Sequence, residues 1–175
     1  MEKRKVSDKL RGLFILKMED VLQIQLSYAE LDNVRKLFIE YQVSMGLDLR
    51  FQNFEEELAL LPDKYTLPYG RLYVAIFNGN LAGCIALRAI NENYCEMKRL
   101  YVRTQFRKLG IGQALTEKII DDAKNIGYTR MLLDTLSSMQ NAISLYRKIG
   151  FVDIDSYYNN PNDGIVYLGL YLSNK

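Results

Sequence analysis

The sequence predicts an α/β fold: a mixed, largely antiparallel central sheet of about six to seven strands, flanked by about four helices. Three observations predict it. Three extended runs with tight turns between them fill residues 71 to 102. Two amphipathic stretches repeat apolar residues at steps of three and four. A basic glycine loop joins the last extended run to the second amphipathic stretch. The length of 175 residues suits one domain. We expect an N-terminal extension over residues 1 to 20 and a single domain over residues 21 to 175.

Composition excludes several classes of function. The 49% of apolar residues can fill a core, and a formal net charge of +2 gives no case for nucleic acid or a membrane as partner. The chain has no histidine, which excludes the usual Ser-His-Asp and Cys-His nucleophiles and argues against a transition-metal site. No apolar run reaches the roughly 20 residues that span a bilayer. With no visible secretory signal, we expect a cytoplasmic protein that binds no metal.

The first third of the chain predicts one short strand and two helices. Residues 21 to 26 form the strand, and Ser27 with Glu30 has the spacing of a capping box that opens a helix ending at Gly46. The apolar residues on the inner face of this helix are Leu31, Val34, Phe38, Tyr41 and Met45. A second helix is expected over residues 54 to 61, before a proline.

A meander of three antiparallel strands follows. Residues 71 to 77 and 81 to 90 are strand-like, and the Asn78-Gly79-Asn80 segment between them is a strong hairpin signal. Asn91-Glu92-Asn93 is a second turn, and it leads to a strand over residues 94 to 102.

Helices and strands alternate in the second half. The helix after the glycine loop ends at Gly127, residues 130 to 134 form a strand, and Ser137 or Ser138 caps another helix. The inner faces are Ile111, Leu115, Ile119, Ala123 and Ile126 in the first helix, and Ala142, Leu145, Tyr146 and Ile149 in the second.

The C-terminal part predicts a last pair of strands. Gly150 followed by Phe151 is typical of a Schellman ending with its apolar contact. Two extended runs, residues 151 to 158 and 165 to 172, close the chain and are joined by a turn rich in asparagine.

The loop over residues 107 to 112, Arg-Lys-Leu-Gly-Ile-Gly, carries the main functional signal. Two glycines spaced by one residue let the backbone approach a bulky group, and the N–H groups at a helix start favour an anion. The loop lacks the third glycine of a dinucleotide fingerprint and the Gly-Lys-Ser/Thr ending of a P-loop. A phosphate or pyrophosphate cradle is the functional interpretation, and a purely structural turn is the alternative.

Two segments together resemble the GNAT (general N-acetyltransferase) superfamily. EMKRLYVRTQFRKLGIGQAL, Glu96 to Leu115, is similar to the acetyl-CoA loop of that family, with its core at Arg107, Gly110 and Gly112. AISLYRKIGF, Ala142 to Phe151, is similar to its second conserved segment. The resemblance covers roughly residues 21 to 172 and implies an acetyl-CoA N-acyltransferase-like fold.

The resemblance also implies how the donor, acetyl-CoA, binds. The end of the third meander strand would pair with the pantetheine arm, and one of its N–H groups could polarise the thioester carbonyl. The loop N–H groups would hold the pyrophosphate. The implied cofactor-binding residues are Leu100, Tyr101, Val102, Arg107, Lys108, Leu109, Gly110, Ile111, Gly112 and Gln113.

Two residues are implied as catalytic. Tyr146 matches the tyrosine of the family that protonates the departing thiolate, although it also lies on the apolar face of its helix, where it could be a core residue. Glu96 matches the general-base position of some members, and it would need burial or a water relay to work as a base. The alternative for Glu96 is a surface strand charge paired with Lys98 or Arg88.

Other residues are less specific. Met139 stands where many members carry an asparagine that contacts pantetheine, and we do not assign that role to Asn141, two residues out of register. The two acidic runs, residues 55 to 57 and 121 to 122, are interpreted as solvated helix faces. The Tyr157-Tyr158 pair could line the acceptor pocket or pack in a hairpin.

The resulting expectation is an enzyme: an N-acetyltransferase that moves an acetyl group from acetyl-CoA to a primary amine by direct attack in a ternary complex. The acceptor could be a small molecule or a peptide, and the resemblance allows a homodimer. A non-catalytic acyl-CoA-binding regulatory module is the alternative, and a nucleotide-binding module is a weaker one.

Overall fold

The computed structural model describes residues 20–46 and 53–172, so most of the expected extension over residues 1 to 20 lies outside the described residues. Within those ranges, a seven-stranded sheet has the order β1-β2-β3-β4-β5-β7-β6. The strands are β1 (Leu22–Leu26), β2 (Arg71–Phe77), β3 (Asn80–Ala89), β4 (Tyr94–Val102), β5 (Arg130–Leu136), β6 (Val152–Asp153) and β7 (Ile165–Tyr171). Only the β4–β5 pair is parallel.

Helices cover both faces of the sheet. They are α1 (Leu31–Met45), α2 (Phe54–Leu60), α3 (Ile111–Ile126) and α4 (Gln140–Ile149), with short 3₁₀ turns at Asp63–Tyr65 and Thr104–Phe106. One apolar core lies between the sheet and α3 with α4, and a second lies between the sheet and α1 with α2. The predicted mixed, largely antiparallel sheet with about four helices is therefore confirmed. No helix in the described ranges is long and apolar enough to cross a membrane.

The meander forms as the turn residues predict. Asn78 and Gly79 both adopt positive φ, at 49° and 79°, and Phe77 pairs with Asn80 across the two-residue turn. This is the backbone geometry of a type I′ hairpin, whose twist matches the twist of the flanking strands.

A β-bulge interrupts β4. Cys84 of β3 pairs with Tyr101 and Ala86 pairs with Lys98, so two residues of β4 face Ile85 alone. One of the two is Arg99, with φ at +59°. A bulge bends its strand and re-aims its side chains, and this one lies in the middle of the strand that the sequence places before the glycine loop.

Two helix starts differ from the predictions. The α1 helix has Glu30 at its N-cap with no side-chain cap, and the Ser27 N–H donates to the carbonyl of Leu72 (3.0 Å), so the predicted capping box is wrong. Met139 occupies the N-cap position of α4, again without a side-chain cap, and the Ser137 N–H donates to the carbonyl of Gly164 (2.7 Å), just before β7. In both cases the backbone of the serine bonds to a neighbouring segment, and no serine side chain caps the helix.

The last hairpin is shorter than predicted, while the Schellman ending before it is confirmed. The Phe151 N–H donates to the carbonyl of Tyr146 (3.0 Å), and their rings lie 5.7 Å apart. Only Val152–Asp153 of the extended run over residues 151 to 158 is strand. The segment then leaves the sheet, and Tyr157 and Tyr158 turn inward to hydrogen-bond the buried Glu96 and the partly buried Asp134.

Candidate functional site

A cleft opens where β4 and β5 part. The two strands pair only between Tyr94–Glu96 and Arg130–Leu132, and no pairing joins them beyond that point. The backbone edge of β4 after the bulge is thus left without a strand partner on the β5 side, while Tyr101 and Val102 pair with β3 on the other. Side chains from both faces of the sheet meet in the cleft, among them Tyr41, Lys98, Arg99, Leu100, Asp134, Met139 and Tyr146.

The glycine loop lies at the end of β4. Arg107 donates through Nε to the carbonyl of Val102 (3.1 Å), which ties the loop to the strand. Lys108 and Gly110 adopt the left-handed conformation, with φ at 64° and 77°, and Gly110 caps α3 without any side-chain bond. The Ala114 N–H makes the bond to the carbonyl of Gly110 that opens the helix (3.0 Å). Residues 111 to 113 precede Ala114 in the first turn of α3. Their N–H groups are the ones at this helix start that can bind an anion.

Gly112 shows that the loop leaves room for a ligand. A Cβ added there would meet only Val102 Cγ2 at 3.8 Å and Leu145 Cδ2 at 3.9 Å, which are ordinary contacts. Packing within the protein therefore does not require glycine at this position. A bulky group that approaches the backbone would explain it, and a pyrophosphate at a helix start is such a group.

Tyr146 reaches the cleft from α4. It is buried, packs against Phe151 and belongs to the core between the sheet and α4, so the core interpretation and the cleft position both apply. Burial raises the pKa of its phenol well above the usual value, and the negative charge of Asp134 acts in the same direction. The phenol therefore stays protonated at neutral pH and can donate a proton or a hydrogen bond.

Glu96 is fully buried, so its interpretation as a surface charge is wrong, although the expected partners are correct. Arg88 Nε lies 2.6 Å from one carboxylate oxygen, Lys98 Nζ lies 3.5 Å from the other, and the Tyr157 hydroxyl donates to that second oxygen at 2.8 Å. Burial raises the pKa of Glu96, but the charges of Lys98 and Arg88 outweigh it and leave the pKa below its usual value. A carboxylate held in this way accepts a proton poorly unless a partner or a water relays it.

A buried ion pair that the sequence analysis missed holds the bulge. Arg99 binds Glu57 of α2 in a bidentate fashion, with Nε at 2.9 Å and a terminal nitrogen at 3.0 Å. The Tyr65 hydroxyl (2.9 Å) and Lys64 Nζ (3.0 Å) complete the shell of Glu57. Burial raises the pKa of Glu57, but its bonds with Arg99 and Lys64 outweigh burial and bring the pKa to about 2. The prediction that residues 55 to 57 form a solvated helix face is thus wrong for Glu57.

A second carboxylate that the sequence analysis passed over faces the cleft from β5. Asp134 accepts a hydrogen bond from the Tyr158 hydroxyl (2.8 Å) and lies 3.8 Å from Lys98 Nζ. The rings of Tyr157 and Tyr158 pack against each other with centroids 5.3 Å apart, and their hydroxyls donate to Glu96 and Asp134, while a place for the pair in an acceptor pocket stays a prediction.

The two cysteines are poor nucleophiles. Cys84 and Cys95 are both free and buried. Burial raises the pKa of the Cys95 thiol to about 12 and raises that of Cys84 further, so neither forms a thiolate readily. Among the described residues, no group of three or more His, Cys, Asp or Glu side chains could hold a metal ion.

Comparisons with known proteins agree with this architecture. The model of the acetyltransferase (GNAT) family matches residues 31–151. An uncharacterized N-acetyltransferase of Schizosaccharomyces pombe is 40% identical, over 82% of this chain and 90% of its own length. An uncharacterized N-acetyltransferase of Dictyostelium discoideum is 35% identical, over 83% of this chain and 96% of its own length.

Solved structures share the fold. An acetyltransferase from Streptococcus agalactiae superposes with a TM-score of 0.74 at 21% identity, over 86% of this chain and 98% of its own. A Salmonella typhimurium protein solved with its cofactor acetyl-CoA superposes with a TM-score of 0.66 at 18% identity, over 88% of this chain and 95% of its own. The expectations of an acyltransferase and of an acyl-CoA cosubstrate agree with these matches. The chain belongs to the GNAT family of acetyltransferases.

Proposed function

We propose that the protein transfers an acetyl group from acetyl-CoA to a primary amine by direct attack within a ternary complex. The observation that carries this proposal is the cleft: Leu100, on the edge of β4 that β5 leaves unpaired, and the buried Tyr146 both line it, and the glycine loop follows at the end of the same strand. The Salmonella typhimurium neighbour, whose structure includes acetyl-CoA, supports the choice of donor.

The donor would be held by backbone groups. Leu100, Tyr101 and Val102 would pair with the amides of the pantetheine arm as if it were an added strand, since β5 no longer covers this edge. The N–H groups of the loop from Arg107 to Gln113, at the positive end of α3, would hold the pyrophosphate. The room at Gly112 is consistent with such a bulky anion.

The chemical step needs two proton transfers. The amine nitrogen forms a bond to the thioester carbon, the C–S bond breaks, and a proton leaves the nitrogen while another reaches the sulfur. Tyr146 would supply the proton to the thiolate, because its raised pKa keeps the phenol protonated until the sulfur needs it.

Glu96 would take the proton from nitrogen only indirectly. Its two oxygens are engaged by Arg88, Lys98 and Tyr157, and the lowered pKa makes direct abstraction weak. We therefore propose that Glu96 acts through a relay, and that positioning of the two substrates supplies most of the rate. Acid–base assistance would add a factor of about 10² to 10⁴.

The test is release of free thiol from acetyl-CoA across a broad panel of amines, together with calorimetry for acetyl-CoA, ATP and NAD. Binding of acetyl-CoA with amine-dependent thiol release supports the proposal. Binding without release from any amine would instead indicate a regulatory acyl-CoA-binding module, and preference for ATP or NAD would overturn the assignment of the loop.

A further inference from the structure

A second cavity adjoins the cleft on the side of α2. It has a volume of about 260 Å³, and four charged side chains line it: Glu57, Lys64, Arg88 and Lys98. Three of the four are cations. The other described residues that line it are polar and uncharged.

Lys64 and Arg88 are layered outside the carboxylates that they pair with around this cavity, whereas Lys98 is largely buried. Lys64 Nζ lies 3.0 Å from Glu57, and their side chains are 30% and 2% exposed. Arg88 Nε lies 2.6 Å from Glu96, and these side chains are 35% and 0% exposed. A ligand that enters the cavity therefore meets the ammonium of Lys64 and the guanidinium of Arg88 before any carboxylate. Both groups keep further N–H donors, since an ammonium carries three and a guanidinium five.

Two groups of ion pairs beside the cavity together carry one positive charge in excess. Among the described residues, Glu57 with Lys64 and Arg99 forms one group, and the other consists of Glu96, Asp134, Arg88 and Lys98, which gives four cations and three carboxylates. One carboxylate from a ligand would balance this charge. A phosphate, with about two negative charges near neutral pH, would exceed it.

Lys98 connects the cavity to the reaction site. Its side chain lines both the cavity and the cleft, and it stands one residue before the bulge at Arg99. A ligand can thus place one end between Lys64 and Arg88 and the other in the cleft beside Asp134 and Tyr146.

We propose, on the basis of the acetyl transfer proposed above, that the acceptor is an amine that also carries one carboxylate several bonds away from the amino group, as an ω-amino acid does. Lys64 and Arg88 bind the carboxylate, and the amino group passes Lys98 into the cleft. The layered charges thus select the acceptor by a charge-assisted contact remote from the reacting atoms.

The first experiment compares matched acceptors. ω-Amino acids of increasing chain length, each beside its carboxamide, are assayed for thiol release from acetyl-CoA, while calorimetry measures acetyl-CoA binding separately. We expect at least one amino acid to be acetylated with kcat/KM at least tenfold above that of its carboxamide. Equal use of acid and amide, preference for amines without a carboxylate, or no turnover of any amino acid while acetyl-CoA binds would each overturn the inference. Failure to bind acetyl-CoA would overturn the proposed function itself.

The second experiment uses matched lysine variants. Lys64→Met removes one cation and leaves Glu57 paired with Arg99. Lys118→Met is the control, because Lys118 also pairs with a largely buried carboxylate, Asp122 (2.8 Å), which lies between α3 and β2 and does not line the cavity. Lys64→Met should lower the preference for acid over carboxamide at least tenfold, mainly through KM, and Lys118→Met should keep the preference of the parent. An unchanged preference in Lys64→Met, with acetyl-CoA binding intact, contradicts the assignment.

Discussion

Two buried clusters of this protein are built from the same four kinds of side chain, one carboxylate, one arginine, one lysine and one tyrosine. The first cluster, beside the cleft, consists of Glu57, Arg99, Lys64 and Tyr65. The second cluster, between α3 and β2 and apart from the residues that line the cleft, consists of Asp122, Arg71, Lys118 and Tyr73. We call them the bulge cluster and the outer cluster.

The clusters differ in depth and in geometry. Glu57 and Arg99 are each 2% exposed and form a bidentate pair, whereas Asp122 is 11% exposed and its lysine, Lys118, is 40% exposed. Arg71 approaches Asp122 only to 3.5 Å. An ion pair away from water is costly to break, because the remaining charge has no solvent to replace its partner. The bulge cluster should therefore fix the local geometry, while the outer cluster chiefly secures α3 to β2.

The largest expected difference between the two regions is catalytic. Tyr146→Phe, beside the cleft, should lower kcat by about 10² to 10⁴, because the thiolate loses its proton donor. Tyr73→Phe, in the outer cluster, should leave kcat unchanged. Steady-state kinetics with acetyl-CoA checks both. If Tyr146→Phe keeps its kcat within about twofold, well under the effect of a general acid, the phenol is a core residue only.

Removal of each carboxylate should separate the clusters by stability. Glu57→Gln should cost about 3–5 kcal/mol in the free energy of unfolding, because Arg99 stays buried without its counter-charge. Asp122→Asn should cost about 1–2 kcal/mol, since Lys118 can turn to water. Urea unfolding curves measure the two values. Equal losses of unfolding free energy in the two variants would show that the exposure of the partner cations does not determine the loss.

The next effect in size should be a loss of folding stability in acid, caused by protonation in the bulge cluster. The pKa of Glu57 is about 2 in the folded protein, against about 4.3 for a free glutamate. Because the folded-state pKa is lowered, ionised Glu57 contributes its full stabilisation when the pH is above the unfolded-state pKa. This contribution, about 3 kcal/mol in total, is lost as the pH falls from about 4 towards 2. Urea unfolding at several pH values should show this loss in the parent and a shallower one in Glu57→Gln. An identical acid slope in both proteins would mean that other carboxylates cause it.

The smallest effect is expected in the glycine loop. Gly112→Ala should weaken acetyl-CoA binding about tenfold, or ~1.4 kcal/mol, if the pyrophosphate lies against this backbone. The free energy of unfolding should stay equal or rise slightly, because the added Cβ makes only ordinary contacts and alanine favours helix. Calorimetry measures the affinity, and the unfolding curve is its control. Unchanged affinity would remove the pyrophosphate from the loop at this position.

The sequence could have revealed both clusters, because each carboxylate lies on an apolar helical face. Glu57 stands three residues after Phe54, and Asp122 stands three after Ile119 and four before Ile126. These spacings put a side chain on the buried side of its helix. Acidic runs nevertheless suggest solvent, and the partners come from strands and turns that no helical period can identify.

Local sequence patterns were enough to predict the order of elements, the hairpin at Asn78-Gly79, the ending of α4 at Gly150 and the glycine loop before α3. These depend on local physics: apolar periodicity, positive φ and backbone bonds between near neighbours. The paired segments around Arg107 and Tyr146 also indicated the family before any coordinates.

Tertiary structure alone decided the bulge at Arg99, the early end of the β4–β5 pairing and the protonation states beside the cleft. Glu96 shows the reason: its pKa depends on burial, which raises it, and on Arg88, Lys98 and Tyr157, which lower it. Those groups come from three separate segments, and their balance exists only once the chain has folded around them.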